Sequence, residues 1–248
     1  MSHIRLRYSG LILFSAQVAS FILSFVFFVY VGRYLSKQEF GGWFFIGSVL
    51  TYFHIARRPL PFWFSRDVAR GEKVGGVGLA ANMLLSLVFL FLFFLLSPLF
   101  ANITGLSLTA FFIAGLYIPA YFAIAALNGI ITAKYPQRLA PYNIIVDSTK
   151  FMLLLVLLKY GLEGALLSSL LALLAYITYA LFATRDELCW GPFTKVKKWL
   201  LLSWLPLYAA IGAEVLSCID TFLMGLLAPL SALASLGVAL TLAAILKQ

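Results

Sequence analysis

The sequence predicts an all-α integral membrane protein, a polytopic bundle of about eight helices. Hydrophobic residues make up 63% of the 248-residue chain and charged residues only 11%, against roughly 45–50% and 25% in soluble domains. Long apolar runs alternate with short basic segments, and residues 74–133 contain no Asp, Glu, Lys or Arg. These features exclude a soluble enzyme. They also favour membrane topology over nucleic-acid binding as the cause of the net charge of +9.

The first four spans follow from apolar length and helix breakers. A helix needs about 20 apolar residues to cross a membrane, and the N-terminal apolar run is that long. The uncharged stretch after residue 73 is long enough for two helices, and Pro98, Asn102 and Gly105 predict the break between them. We therefore expect the first four spans at 9–32, 41–60, 76–98 and 107–133.

Four further apolar runs complete the predicted bundle. Between the sixth and seventh spans lies a basic segment containing "PFTKVKKW". We expect it to lie along the inner leaflet, where anionic lipids attract lysine side chains. The last four spans are predicted at 142–159, 164–184, 199–227 and 231–246.

The distribution of Lys and Arg predicts a cytoplasmic N-terminus. With that orientation, fourteen of these residues fall on the cytoplasmic side and three outside, the bias expected of membrane proteins. Lys150, which is counted on neither side, lies within the fifth span. The outer residues are Arg33, Lys37 and Lys159; the inner ones are Arg5, Arg7, Arg57, Arg58, Arg66, Arg70, Lys73, Lys134, Arg138, Arg185, Lys195, Lys197, Lys198 and Lys247.

Two carboxylates in the seventh span, Glu214 and Asp220, are candidates for ion coupling. A charge inside the membrane costs a few kcal/mol, so such residues usually face a bundle interior or a wet cavity. Six residues of helix correspond to about 600°, so the two side chains point roughly 120° apart and form no metal clamp. One hypothesis is coupling to a proton or sodium ion. The alternatives are a structural acid that docks the helix and an exposed surface residue.

Arg57 and Arg58 are candidates for substrate binding. They follow the second apolar run, and Pro59 and Pro61 should break or kink the helix there. Arginine is always charged and can bind phosphate oxygens in a bidentate manner. The alternative is that both residues only anchor the helix at the inner boundary.

Asp147 and Lys150 are three residues apart in the fifth span and can pair on one face of a helix. The pair is either a local ion pair near the inner interface or a charged pair that lines a cavity. We count Lys150 among the candidate cavity cations and Asp147 among the candidate coupling acids.

An internal repeat is suggested by two similar hairpins. Spans 1 and 7 each end in a glycine, Gly32 and Gly225, and another glycine, Gly41 or Gly237, opens the following span. Six spans separate the hairpins, a pattern of transporters built from parallel repeats. Chance likeness is the alternative. The repeat predicts a six-helix lobe at 1–184, a cytoplasmic linker at 185–198 and the first hairpin of a second lobe at 199–248.

Four stretches resemble a known family. "GRYLSKQEFGGWFFIGSVL", "FSRDVARGE", "KYGLEGALLSSLLA" and "CIDTFLMGLLAPLSALASLGV" are similar, in this order, to segments of Wzx-like polysaccharide flippases of the multidrug/oligosaccharidyl-lipid/polysaccharide exporter superfamily. The resemblance implies two six-helix lobes around a cavity open to alternate sides, and a lipid-linked oligosaccharide as substrate. Members usually have twelve or fourteen helices, so with about eight we expect a truncated product.

The sequence is compatible with three other interpretations. A multidrug antiporter of the same superfamily should have an acidic cavity without arginines, and a non-functional remnant is a further alternative. A membrane transferase would need clustered His, Asp or metal ligands, whereas His54 is the one histidine in the predicted spans. The sequence has no GxxxxGK[ST] loop and no HExxH motif. We expect a transporter in contact with membrane lipids, not an enzyme, with no cofactor and no metal site.

Overall fold

The computed structural model describes the backbone of residues 6–246 and, within that range, the side chains of residues 15, 17–212, 214–216 and 218–243. Arg5 and Lys247, and the side chain of Arg7, lie outside these described residues. The described backbone forms ten α-helices and no strands. They are α1 Leu6–Tyr34, α2 Lys37–His54, α3 Pro59–Ala69, α4 Gly75–Thr104, α5 Leu108–Gly115, α6 Tyr117–Lys134, α7 Pro141–Leu157, α8 Gly161–Thr184, α9 Thr194–Leu227 and α10 Leu230–Leu246.

The all-α polytopic prediction is confirmed. Five helical stretches are long and apolar enough to cross a membrane: Gln17–Tyr34, Gly75–Thr104, Leu108–Lys134, Pro136–Glu187, which contains both α7 and α8, and Thr194–Leu216. The predicted spans 2 and 8 correspond to α2 and α10. These two helices fall outside the five stretches, and the apolar part of α10 is the shorter Leu230–Ala243.

Two predicted helix ends were wrong. The second span was expected to reach residue 60, but α2 ends at His54 and a 3₁₀ turn leads to α3, which begins at Pro59. Proline fits a first helical turn because its missing N–H is not needed there. The third span was expected to end at Pro98, but α4 continues to Thr104. Proline is tolerated inside membrane helices, where neighbouring groups satisfy the freed carbonyl.

Two serines fix helix starts, and one glycine fixes a helix end. Ser36 caps α2, accepting a hydrogen bond from the Glu39 N–H while the Glu39 carboxylate accepts one from the Ser36 N–H. The Ser107 side chain caps α5 by accepting a 3.1 Å hydrogen bond from the Ala110 N–H. Gly105 ends α4 at φ 67°, a left-handed conformation that favours glycine.

Helices α6 and α8 form the centre of the bundle and contact each other. Helices α3, α4, α5 and α7 pack around them, and α1 packs mainly on α7. The core is rich in aromatic side chains that are almost fully buried, including Phe45, Phe93, Phe111, Phe122 and Tyr176. Edge-on ring pairs, such as Phe53 with Phe93 at 5.1 Å between centroids, interlock the helices.

Connections that the topology places on the same side of the membrane contact each other. At the end that was predicted to lie outside, Ser107 donates to Glu163 at 2.6 Å and the Leu162 N–H donates to Glu39. At the opposite, basic end, the Gly76 N–H donates to the Cys189 carbonyl at 3.1 Å. These contacts agree with the predicted alternation of spans.

The hairpin of α9 and α10 packs on α2 through glycines. A Cβ atom on Gly41 would lie 1.8 Å from the Leu230 carbonyl oxygen, so the two backbones are in direct contact. Gly225 and Gly237 lie under the rings of Phe45 and Phe44. Small residues allow helices to approach this closely in membranes, where packing rather than hydrophobicity drives association. Three of the four glycines that define the repeat therefore form this contact.

At the basic end, Trp199 attaches the start of α9 to α3. Its indole is 2% exposed, packs on the Phe64 ring at 5.8 Å, and donates to Asp67 at 2.9 Å. We expect Trp199→Ala to destabilise the protein by about 3–5 kcal/mol, the usual cost of truncating a buried aromatic residue. Trp199→Phe keeps an aromatic ring at this position and should cost less, about 1.5–3 kcal/mol for the lost hydrogen bond to a carboxylate. Thermal unfolding in detergent compares them, and equal losses for both variants would contradict this account.

Candidate functional site

A cavity of about 410 Å³, with both polar and apolar lining residues, opens between α2, α6, α7 and α8. Its charged lining residues are Arg57, just beyond the end of α2, and Lys150 of α7. The described helices α9 and α10 contribute none of its lining. The other lining residues are Phe27, Trp43, Ile46, Gly47, Leu50, Thr51, His54, Tyr117, Tyr121, Val146, Leu166, Ser169 and Leu173.

A second cavity of about 310 Å³ adjoins the first, and both are lined by Arg57 and Tyr121. It extends towards the basic end of the bundle. Its remaining lining residues are Arg58, Pro61, Ile124, Ala125, Asn128 and Tyr142. Arg57 is therefore in contact with both cavities, and a ligand that occupied them in turn would pass its guanidinium.

Helix breaking places Arg57 inside the bundle. Because α2 ends at His54 and α3 begins at Pro59, the 3₁₀ turn between them turns Arg57 towards α6. There its guanidinium carbon lies 5.2 Å from the centre of the Tyr121 ring, a cation–π distance. The buried Asn82 amide bonds the Phe122 carbonyl at 2.7 Å and the Arg57 carbonyl at 3.5 Å, which connects the turn to α4 and α6.

Lys150 enters the first cavity from α7, where it forms the pair expected from the sequence. Its ammonium lies 2.7 Å from the Asp147 carboxylate and 4.6 Å from the centre of the Phe27 ring. Asp147 also accepts hydrogen bonds from Ser20 and Ser24 of α1. The pair thus lies at a helix interface, and its lysine, but not its aspartate, is among the residues that line the cavity.

The remaining candidates are divided between the second cavity and the surface. Arg58 lines the second cavity and its side chain is largely exposed; its Nη1 lies 3.9 Å from Oε1 of the half-buried Glu214. Glu214 thereby joins α9 to the turn that carries the arginines. Asp220 is exposed on α9 and lines neither cavity.

Sequence reasoning missed the neutral polar residues of the site. Ser20 with Ser24, and Tyr117 with Tyr121, are each four residues apart, a spacing that places each pair on one helix face. The sequence shows that spacing, but it does not show which other helix each of these faces contacts. His54, the one histidine in the predicted spans, also lines the cavity: it is 94% buried, and its ring lies 4.4 Å from that of Tyr121.

The residues that line the cavity suit the binding of an anionic group. In the described part of the chain, no three His, Cys, Asp or Glu side chains converge as metal ligands would. A guanidinium, an ammonium, hydroxyl groups and aromatic rings instead line a space within apolar helices. Such a lining can stabilise an anionic, hydroxyl-rich group that hydrocarbon would exclude.

Comparison with known proteins identifies the family of the chain. The family model described as "Polysaccharide biosynthesis protein" matches residues 6–248. No curated protein and no solved structure matches the chain. Because the family model covers nearly the whole sequence, the chain belongs to the polysaccharide biosynthesis protein family.

Proposed function

We propose that this chain acts in a Wzx-like flippase that moves a lipid-linked oligosaccharide, or a related polyprenyl-phosphate glycolipid, across the cytoplasmic membrane. One observation carries the proposal: Arg57 and Lys150 line a single cavity inside a bundle of apolar helices. Family membership supports a role in polysaccharide biosynthesis. The lysine and arginine bias supports an N-terminus on the cytoplasmic side.

The physical problem that such a protein solves is the cost of moving a charged headgroup through hydrocarbon. An isolated phosphate in a low-dielectric medium loses its hydration, and only cations and hydrogen-bond donors can offset that loss. Arg57 provides a permanent, forked donor and Lys150 a second positive charge. The polyprenyl chain needs no such help and would remain in lipid while the headgroup crosses within the cavity.

We further propose that residues 1–184 form one lobe, residues 185–198 a linker on the cytoplasmic side, and residues 199–248 the start of a second lobe. The contact between α2 and the α9–α10 hairpin supports this division, because it joins the two hairpins that resemble each other. Alternating access would then be a rocking of the lobes about this contact.

Glu214 is the carboxylate that we propose for coupling to a proton or sodium ion. It lies on α9, across the lobe boundary from Arg58, so its charge would influence how the lobes meet. Asp147 is already engaged by Lys150, and Asp220 is exposed. We expect Glu214→Gln to abolish gradient-driven transport while downhill movement of substrate persists. Transport in vesicles with and without an imposed ion gradient tests this, with Asp220→Asn as the control on the same helix.

The proposed function is tested by reconstituting the protein in sealed vesicles with a fluorescent polyprenyl-diphosphate oligosaccharide in both leaflets. A membrane-impermeant quencher then reports how much label changes leaflet. We expect faster exchange than in protein-free vesicles, and loss of surface polysaccharide from cells that lack the protein. Sensitivity of those cells to cationic dyes, with unchanged surface polysaccharide, would instead favour a multidrug antiporter.

A further inference from the structure

The interface between α1 and α7 contains a polar cluster within apolar surroundings. Ser20 donates a hydrogen bond to one carboxylate oxygen of Asp147, and Ser24 donates to the other at 2.7 Å. The Lys150 ammonium lies 2.7 Å from the same carboxylate and donates to the Ser24 hydroxyl oxygen at 3.3 Å. Ser20 and Asp147 are both more than nine-tenths buried.

Only one charged member of this cluster reaches the cavity. Lys150 is among the lining residues, whereas Asp147, Ser20 and Ser24 are not. The cluster therefore lies behind the cavity wall and holds one cation at its surface. Of the three N–H donors of the ammonium, two are directed to Asp147 and Ser24, and the Phe27 ring lies near it.

A lysine at this position needs such a support. Its four-carbon stem is flexible, and lysines near helix ends move their ammonium groups towards the lipid–water interface. A buried charge is also costly unless it is paired and hydrogen-bonded. Asp147 provides the opposite charge, and the two serine hydroxyls of α1 fix the carboxylate. The ammonium is thereby held at a defined place that faces the cavity.

We propose that Ser20, Ser24 and Asp147 are positioning residues that hold the Lys150 ammonium where it binds the phosphate groups of the substrate. This inference rests on the proposed function. It gives α1 a part in substrate binding although, of the α1 side chains that the structure describes, Phe27 alone lines the cavity. Asp147 then serves as a fixed counter-charge rather than as the coupling acid.

Whether Asp147→Asn strengthens or weakens the binding of an anion separates this positioning role from simple electrostatics. If Asp147 only added negative charge near the cavity, Asp147→Asn would strengthen the binding of an anion. If Asp147 positions Lys150, the same substitution weakens binding, because the ammonium is no longer held at the wall. A purely structural link between α1 and α7 would also weaken binding, but it would do so whether or not Lys150 is present.

The experiment measures the binding of farnesyl diphosphate to the purified full chain in detergent. We expect Asp147→Asn, and the double variant Ser20→Ala with Ser24→Ala, to weaken binding about tenfold, the loss expected for hydrogen bonds to a charged group. In a Lys150→Met background neither change should weaken binding further. Ser148→Ala is the matched control, since its hydroxyl bonds only carbonyls of its own helix among the described residues.

Several results would overturn the inference: tighter or unchanged binding on Asp147→Asn, or an equal loss in the Lys150→Met background. If Asp147→Asn does not fold, Ser24→Ala is measured in its place. The inference then fails if Ser24→Ala binds the diphosphate as tightly as the unaltered protein or more tightly, or if its loss is equal in the Lys150→Met background. Other results would show that the proposed function itself is wrong. The unaltered protein would then not bind the diphosphate, or Arg57→Ala and Lys150→Met would both leave its binding unchanged. Either result would overturn both proposals.

Discussion

Replacing Arg57 with alanine should reduce movement of a polyprenyl-diphosphate glycolipid at least about a hundredfold. Arg57 lines both cavities, so a headgroup would meet it in each. A hydrogen bond to a charged group contributes about 1.5–3 kcal/mol, and a guanidinium can make two such bonds to one phosphate. Because about 1.4 kcal/mol corresponds to a tenfold change, the loss of both bonds lowers the rate at least about a hundredfold.

The measurement is the leaflet exchange of the fluorescent glycolipid in sealed vesicles. Arg57→Lys keeps the charge but loses the fork, so it should retain an intermediate rate. Arg33→Ala is the matched control, because Arg33 is exposed on α1 and lines neither cavity. Exchange by Arg57→Ala at more than half the unaltered rate would contradict a role for this cavity in transport.

Gly41→Ala should separate α10 from α2 and destabilise the protein by about 1–3 kcal/mol or more, the usual cost of overpacking. The new methyl carbon would lie 1.8 Å from the Leu230 carbonyl oxygen and 2.6 Å from its carbon. Both atoms belong to the backbone of α10, so no side-chain rotation relieves the clash and the helix itself must move. Thermal unfolding in detergent measures the loss of stability.

Gly47 provides the control for helix propensity. It lies on the same helix, and a Cβ atom there would meet nothing within 4 Å. Alanine is the better helix former by about 1 kcal/mol, so Gly47→Ala should leave stability unchanged or raise it. A disulfide between cysteines placed on α2 and α10 should form less readily in Gly41→Ala. Equal stability of the two alanine variants would show that the close contact is not needed.

Much of the helix arrangement could be predicted because hydrocarbon imposes a simple rule on the chain. A span must be apolar and about 20 residues long, so the boundaries of α4, α8 and α10 were found to within a few residues at most ends. Proline was less informative. Pro98 lies inside α4 although it was expected to end it, since neighbouring helices in a membrane compensate for the missing hydrogen bond.

The site was harder to predict because a span does not reveal which helix its polar residues face. The i, i+3 spacing correctly predicted the pair of Asp147 and Lys150, a local property of one helix. The serines of α1 that complete the cluster lie more than 120 residues away in the sequence. The contact of Arg58 with Glu214 was likewise not foreseen. Both depend on packing between helices that sequence periodicity does not specify.

The cavity beside Arg57 should be filled with water and should bind an anionic headgroup. Thiol labelling in a background where Cys189 and Cys218 are replaced by serine tests this expectation. Thr51→Cys, in the cavity lining, should react with a charged, water-soluble reagent, and farnesyl diphosphate should slow that reaction. Leu92→Cys, which is exposed on the apolar surface of α4, should not react. A reactive Leu92→Cys with an unreactive Thr51→Cys, or a Thr51→Cys that the diphosphate does not protect, would contradict the account.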